Sequence, residues 1–167
     1  VADLFVKLLA TTDRRKAIDT ANTLRGVPST LEVQQAAVAA WKRHQESGEE
    51  RGLWFHILGQ LTPRREPALR AAFDVLAAPD AEWDGGLLTH RLTMDVAPED
   101  RPLAATLAAQ ALTKSPHAPV RGAMLDVLAA YGTRDQADVV RAFANNALVP
   151  ATERERAKTV LAKTEAR

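Results

Sequence analysis

Cysteine is missing altogether from this 167-residue chain. Its absence excludes disulfides, thiol nucleophiles, thiolate zinc sites and cysteine-ligated iron–sulfur clusters. Aromatic residues are scarce at 5%. No stretch of 18 apolar residues occurs, so no membrane-spanning helix is expected. Charge of one sign is also lacking. There are 22 basic and 21 acidic residues, for a net charge of +1. Residues 1–80 carry 11 basic and 10 acidic side chains, and residues 81–167 carry 11 of each. Nucleic-acid binders usually project a strong positive field, so this balance counts against that class of partner. Strand signals are equally thin. No run alternates Val, Ile, Thr and aromatic residues, and Asp84-Gly85 lacks the flanks of a hairpin.

Catalytic signatures are missing too. None of His44, His56, His90 and His117 belongs to a pair at i and i+4 with a glutamate between. No Gly-x-Ser-x-Gly elbow is present. Gly85-Gly86 has neither the Lys-Ser/Thr of a phosphate loop nor a strand before it. His44 and His56 read as packed core or rim residues, and His117 as solvated in the first turn of a helix. His90 has Trp83, Arg91, Asp95, Glu99 and Asp100 near it in sequence, but acids spaced so irregularly read as surface charge. No catalytic residue, metal site or cofactor is therefore expected. Arg14-Arg15-Lys16 and Arg64-Arg65 are two small basic clusters, each read as a solvated turn offset by Asp13, Asp19 and Glu66.

What the chain does contain is helix. Alanine, the strongest helix former, is abundant and lets helices pack closely. The clearest element spans residues 115–132. Ser115 reads as its N-cap, Pro116 as its first helical residue and Gly132 as a left-handed C-terminal stop. Val120, Ala123, Met124, Val127, Leu128 and Tyr131 fall on one apolar stripe. Asp13 caps a helix with Ala17, Ile18, Ala21 and Leu24 inward. Capping boxes are read at Ser29–Glu32, Ser47–Glu50, Thr133–Gln136 and Thr152–Glu155. The helix after the first box turns Val33, Ala37, Ala40, Trp41 and His44 to one side. The segment from Leu53 to Leu61 is apolar nearly all round and reads as a central helix. Further helices are expected near 3–10, 67–78, 88–96, 103–113 and after the third and fourth boxes. Leu69, Ala72, Phe73 and Leu76 line the 67–78 helix, Leu103, Leu107, Ala108 and Ala111 the 103–113 helix, and Ala137, Val140, Phe143, Ala144 and Ala147 the helix after the third box. That makes about ten, joined by short turns.

One internal echo exists. Residues 67–78 align without gaps to residues 119–130, with seven of twelve positions identical and a spacing of 52. Val120-Arg121, followed by spaced Ala and Leu and then Tyr131-Gly132, resembles the second helix of a HEAT repeat. HEAT and armadillo repeats run about 40–47 residues, so the present spacing is somewhat long. The resemblance implies an all-α fold in which about five antiparallel helical hairpins form a superhelical stack, a HEAT-like α-solenoid filling residues 1–167 as a single domain. The weakly apolar last helix fits a terminal cap with one polar face.

The function such a stack implies is non-catalytic: a scaffold or interaction module whose partner is another protein or an adjacent domain. Trp83, Arg91 and Arg121 are the candidate partner-binding residues, since exposed Trp and Arg commonly anchor interfaces. In HEAT repeats an arginine at the place of Arg121 often braces the neighbouring repeat. The alternative is an accessory helical domain of a larger enzyme, similar in outline to the C-terminal domain of gluzincin-type zinc aminopeptidases. The non-Met start at Val1 points that way. No membrane partner is expected, and a cytoplasmic location is the default expectation, because Val1–Ala10 carries Asp3 and Lys7 and lacks the form of a signal peptide.

Overall fold

A computed structural model describes residues 1–24, 29–45, 58–59, 61–77, 93 and 95–167. Among these the protein is all-α, with no strand. Eight α-helices are described: α1 (Ala2–Leu9), α2 (Arg14–Thr23), α3 (Leu31–His44), α4 (Glu66–Ala77), α5 (Arg101–Lys114), α6 (Ala118–Tyr131), α7 (Arg134–Asn145) and α8 (Ala151–Glu165). A 3-10 turn, Pro98–Asp100, leads into α5. The expected box at Ser47–Glu50, most of the central 53–61 helix and most of the 88–96 helix lie outside the described residues. Leu58 and Leu61 are described, and both are fully buried.

Helix α4 is the pivot of the packing because both of its faces are apolar. Leu69, Ala72, Phe73 and Leu76 join one hydrophobic cluster with α5–α8 and Val96. Ala68, Ala71 and Val75 join another with α1–α3, Leu58 and Leu61. Small residues on the second face let α3 approach closely. Helix α1 packs on α2 and α3, α3 on α4, and α4 on α5. Beyond α4, α5 packs on α6 and α7, while α8 packs on α6 and α7.

Directions follow from the ends that meet. Arg121 near the start of α6 pairs with Glu153 near the start of α8, and Arg167, just past α8, donates to Ala129, Ala130 and Gly132 at the end of α6. These two helices therefore run parallel. Arg134 at the start of α7 donates to the Glu165 carbonyl at the end of α8, so α7 and α8 run antiparallel.

Several sequence expectations change in detail. Helix α6 begins at Ala118, with His117 as N-cap and Pro119 in its first turn. Ser115 instead ends α5, and its hydroxyl accepts the His117 N–H at 3.2 Å. Gly132 is extended, at φ −62° and ψ 143°, and not left-handed. It is needed for closeness: a Cβ there would lie 2.5 Å from the Leu128 carbonyl oxygen and 2.7 Å from Thr164 Cγ2. The stripe of α6 is buried as expected, with Tyr131 partly exposed and Leu125 buried in addition.

The box at residues 29–32 shifts by one. Thr30 is the N-cap, accepting Val33 N–H at 3.3 Å. Ser29 is buried and accepts from the Gln34 side chain at 2.9 Å. The box at Thr133 is present, with Gln136 Oε1 accepting the Thr133 N–H at 3.0 Å. The box at Thr152 is not, because Thr152 lies inside α8 behind Pro150 and Glu155 pairs with Lys158. In α5 the alanine face is the buried one: Ala104, Ala105, Ala108, Ala109 and Ala111 pack inward while Leu103 and Leu107 are partly covered. Small residues win the inner face because α5 is flanked by α4, α6 and α7 at once.

Arg64 departs furthest from expectation. Read as a solvated turn residue, it is fully buried. Its backbone pairs with the 95–97 segment, donating to the Asp95 carbonyl at 2.7 Å and accepting from Ala97 N–H at 2.9 Å. Val96, expected to end a short helix, makes a parallel bridge with Arg64 instead. That pairing turns the Arg64 side chain inward, where a terminal nitrogen donates to the Gly59 carbonyl at 2.7 Å.

Candidate interaction site

The described residues form a cleft of about 320 Å³ between the end of α5, the start of α6 and the turn joining α7 to α8. Leu112, Phe143 and Val149 supply its apolar wall, and Ser115, Arg121 and Asn146 its polar edge. The turn at residues 146–150 is built by its own hydrogen bonds. Asn146 Oδ1 accepts Leu148 N–H at 3.0 Å, and the Asn146 carbonyl accepts Val149 N–H at 3.0 Å. An Asx-type turn of this kind holds its backbone without help from outside. Pro150, next in line, fixes φ at the entry to α8. The result is that Leu148 stands 93% exposed beside the apolar wall of the cleft, on a turn that keeps it there.

Arg121, on the polar edge of this cleft, is largely enclosed. Its Nε and one terminal nitrogen grip the two oxygens of Glu153 at 2.8 and 2.9 Å. Its other terminal nitrogen donates to the Pro116 carbonyl at 2.8 Å and the Ser115 carbonyl at 3.2 Å. The fork geometry of guanidinium suits this bidentate grip, which a lysine could not reproduce. The hydrogen bonds to Glu153 hold the guanidinium pKa above its ordinary value, against a smaller opposing effect of burial. Arg121 thus ties α6 to α8 and to the turn before α6. The other two residues singled out from the sequence, Trp83 and Arg91, lie outside the described residues, as do His56 and His90.

A second polar cluster surrounds Tyr131. The phenol donates to the Thr93 carbonyl, and the Arg101 guanidinium lies 5.5 Å from the ring centroid. Burial raises the phenol pKa above its ordinary value, with Arg101 acting in the opposite sense. No group of three or more histidine and acidic side chains is placed to hold a metal ion among the described residues. No helix there is long and apolar enough to cross a membrane.

Sequence reading missed Leu148 and Phe143 as site residues. Phe143 sits on the buried stripe of α7 and looks like any core residue. The legible signal was Asn145-Asn146-Ala147-Leu148-Val149-Pro150: Leu148 and Val149 are large apolar residues between turn formers and off the expected stripe of α7. Ala147, assigned to the α7 stripe, is exposed and lies past the helix end.

The described residues thus show an all-α protein with an open cleft of mixed polar and apolar lining. Compared with known protein families, curated proteins and solved structures, the chain matches none.

Proposed function

We propose that this chain is a non-catalytic interaction module built as a HEAT-like stack of helical hairpins, and that it receives an apolar segment of another protein in the cleft beside Leu148. The stacking part of the reading draws support from the C-terminal half, where first helix packs on first (α5 on α7) and second on second (α6 on α8). Helices α6 and α8 run in the same direction, as neighbouring repeats do in solenoids. The polar outer side of α8, with Glu155, Arg156, Lys158 and Lys163 exposed, suits a terminal repeat.

The observation that carries the binding reading is Leu148 itself. A lone exposed leucine is ordinary. This one is held by two hydrogen bonds on the rim of a cleft lined by Leu112, Phe143 and Val149. A partner side chain entering the cleft would cover both the wall and Leu148, with little ordering cost on this side because the turn is already set. The Arg121–Glu153 grip braces the polar edge of the cleft.

Selection of displayed peptides on the immobilised chain, with the Leu148→Asp variant as counter-target, tests this. Enriched peptides should share an apolar anchor and fail to bind the variant. Failure of any sequence to enrich, or equal binding to both proteins, would contradict the proposal.

A further inference from the structure

Helix α1 exposes a second surface, far in sequence from the cleft. Its inner face is Leu9, fully buried, with Ala2, Phe5 and Val6 packed against the same cluster. Arg43 of α3 donates to the Leu9 carbonyl at 2.8 Å and fixes the C-terminal end of the helix. The apolar arc of α1 is wider than the area this packing covers. Leu4 is 59% exposed and Leu8 is 39% exposed, one turn apart on one line. On the next line, away from the buried face, Asp3 and Lys7 are exposed, also one turn apart.

We infer that this face pairs with the same face of a second copy of the chain, antiparallel about a two-fold axis. The charges choose both the occupant and the direction. Asp3 and Lys7 lie one turn apart on either side of Phe5, close to the middle of the helix. An antiparallel pair brings Asp3 of each copy to Lys7 of the other, twice, beside the joined leucine rows. In a parallel two-fold pair the two charged lines would lie on opposite sides of the leucine seam and make no contact, so only the antiparallel pair gains from them. Self-complementarity of this kind is what an isologous two-fold contact requires. The contact is small, so the dimer is weak and forms with a dissociation constant of roughly 0.1–1 mM.

Sedimentation equilibrium from about 10 µM to 1 mM on the whole chain reads this directly. The chain should pass from monomer to dimer and no further. Asp3→Lys and Lys7→Asp should each weaken association about tenfold, since each turns two attractive contacts into two repulsive ones. The double swap Asp3→Lys with Lys7→Asp should restore it. Leu4→Glu should abolish it, while Leu148→Asp should leave it unchanged, which separates this surface from the cleft. A chain that stays monomeric throughout, single swaps without effect, a double swap that fails to restore, or loss through Leu148→Asp would overturn the inference.

Discussion

Single residues here act through close approach and burial more than through chemistry, and two glycines show it with opposite signs. At Gly132 an added Cβ would meet the Leu128 carbonyl oxygen and Thr164, both held in place by the end of α6 and by α8. Gly132→Ala should cost about 1–3 kcal/mol, the usual range for overpacking. At Gly122 the added Cβ would meet only the far end of the Arg156 side chain, at 3.0 Å. That end can move, and alanine suits a helix interior better than glycine. Gly122→Ala should therefore raise stability by up to about 1 kcal/mol. Urea melts of the two variants check the pair, and a loss at both positions would refute the assigned packing.

Asp100 supplies a pH signature at the same scale. Burial, then the charge of Glu99, raises its carboxyl pKa above the usual value, against the Glu66 backbone amide and Arg65. A raised folded pKa means the native state holds the proton longer than the unfolded chain. Stability from this group is then fully present below the unfolded pKa, about 3.9, and is lost as pH rises through the folded value. Asp100→Asn removes the penalty. The variant's melting temperature should exceed that of the parent at pH 7, and the gap should close near pH 3. An equal gap at both pH values would rule the cause out.

At the scale of elements, caps and stripes decide what forms, and much of this was legible. Asp13 was readable as the N-cap of α2, and its carboxylate accepts Lys16 N–H at 3.1 Å. Asp13→Ala should cost about 1 kcal/mol, measured by thermal or urea unfolding. A change within error would mean that α2 is held by packing alone. The stripes of α3, α4, α6 and α7 were legible because period-3.6 spacing reports one buried face directly. Boundaries were less so. Of the three Ser or Thr boxes that fall on described residues, only the one at Thr133 stands where it was read. Neighbouring hydroxyls compete for the cap, and Pro150 displaces Thr152 by opening α8 one residue before it. The inner face of α5 was read in part: Ala108 and Ala111 are buried and Leu103 and Leu107 pack against the core, while crowding by three neighbouring helices brings Ala104, Ala105 and Ala109 inward as well.

For the whole molecule, the all-α class followed from sparse strand signals and abundant alanine, and the described residues agree. Arg64 was not legible at all. Its burial depends on a pairing with residues some thirty positions later, which no local pattern announces. The site was legible only in part. Arg121 stood out as an arginine off its own stripe, and its bracing contacts come from Glu153, 32 residues away. Leu148 gains meaning only once Leu112 and Phe143 are seen beside it. The two proposed surfaces lie far apart in sequence, the cleft beside Leu148 and the outer face of α1.

The most direct measurement is calorimetric titration of a selected peptide into the parent chain, Leu148→Asp and Leu4→Glu, at a concentration low enough to keep the chain monomeric. The cleft account predicts affinity lowered about tenfold or more by Leu148→Asp, as for loss of an interface anchor, and unchanged by Leu4→Glu. Unchanged affinity in Leu148→Asp would contradict it.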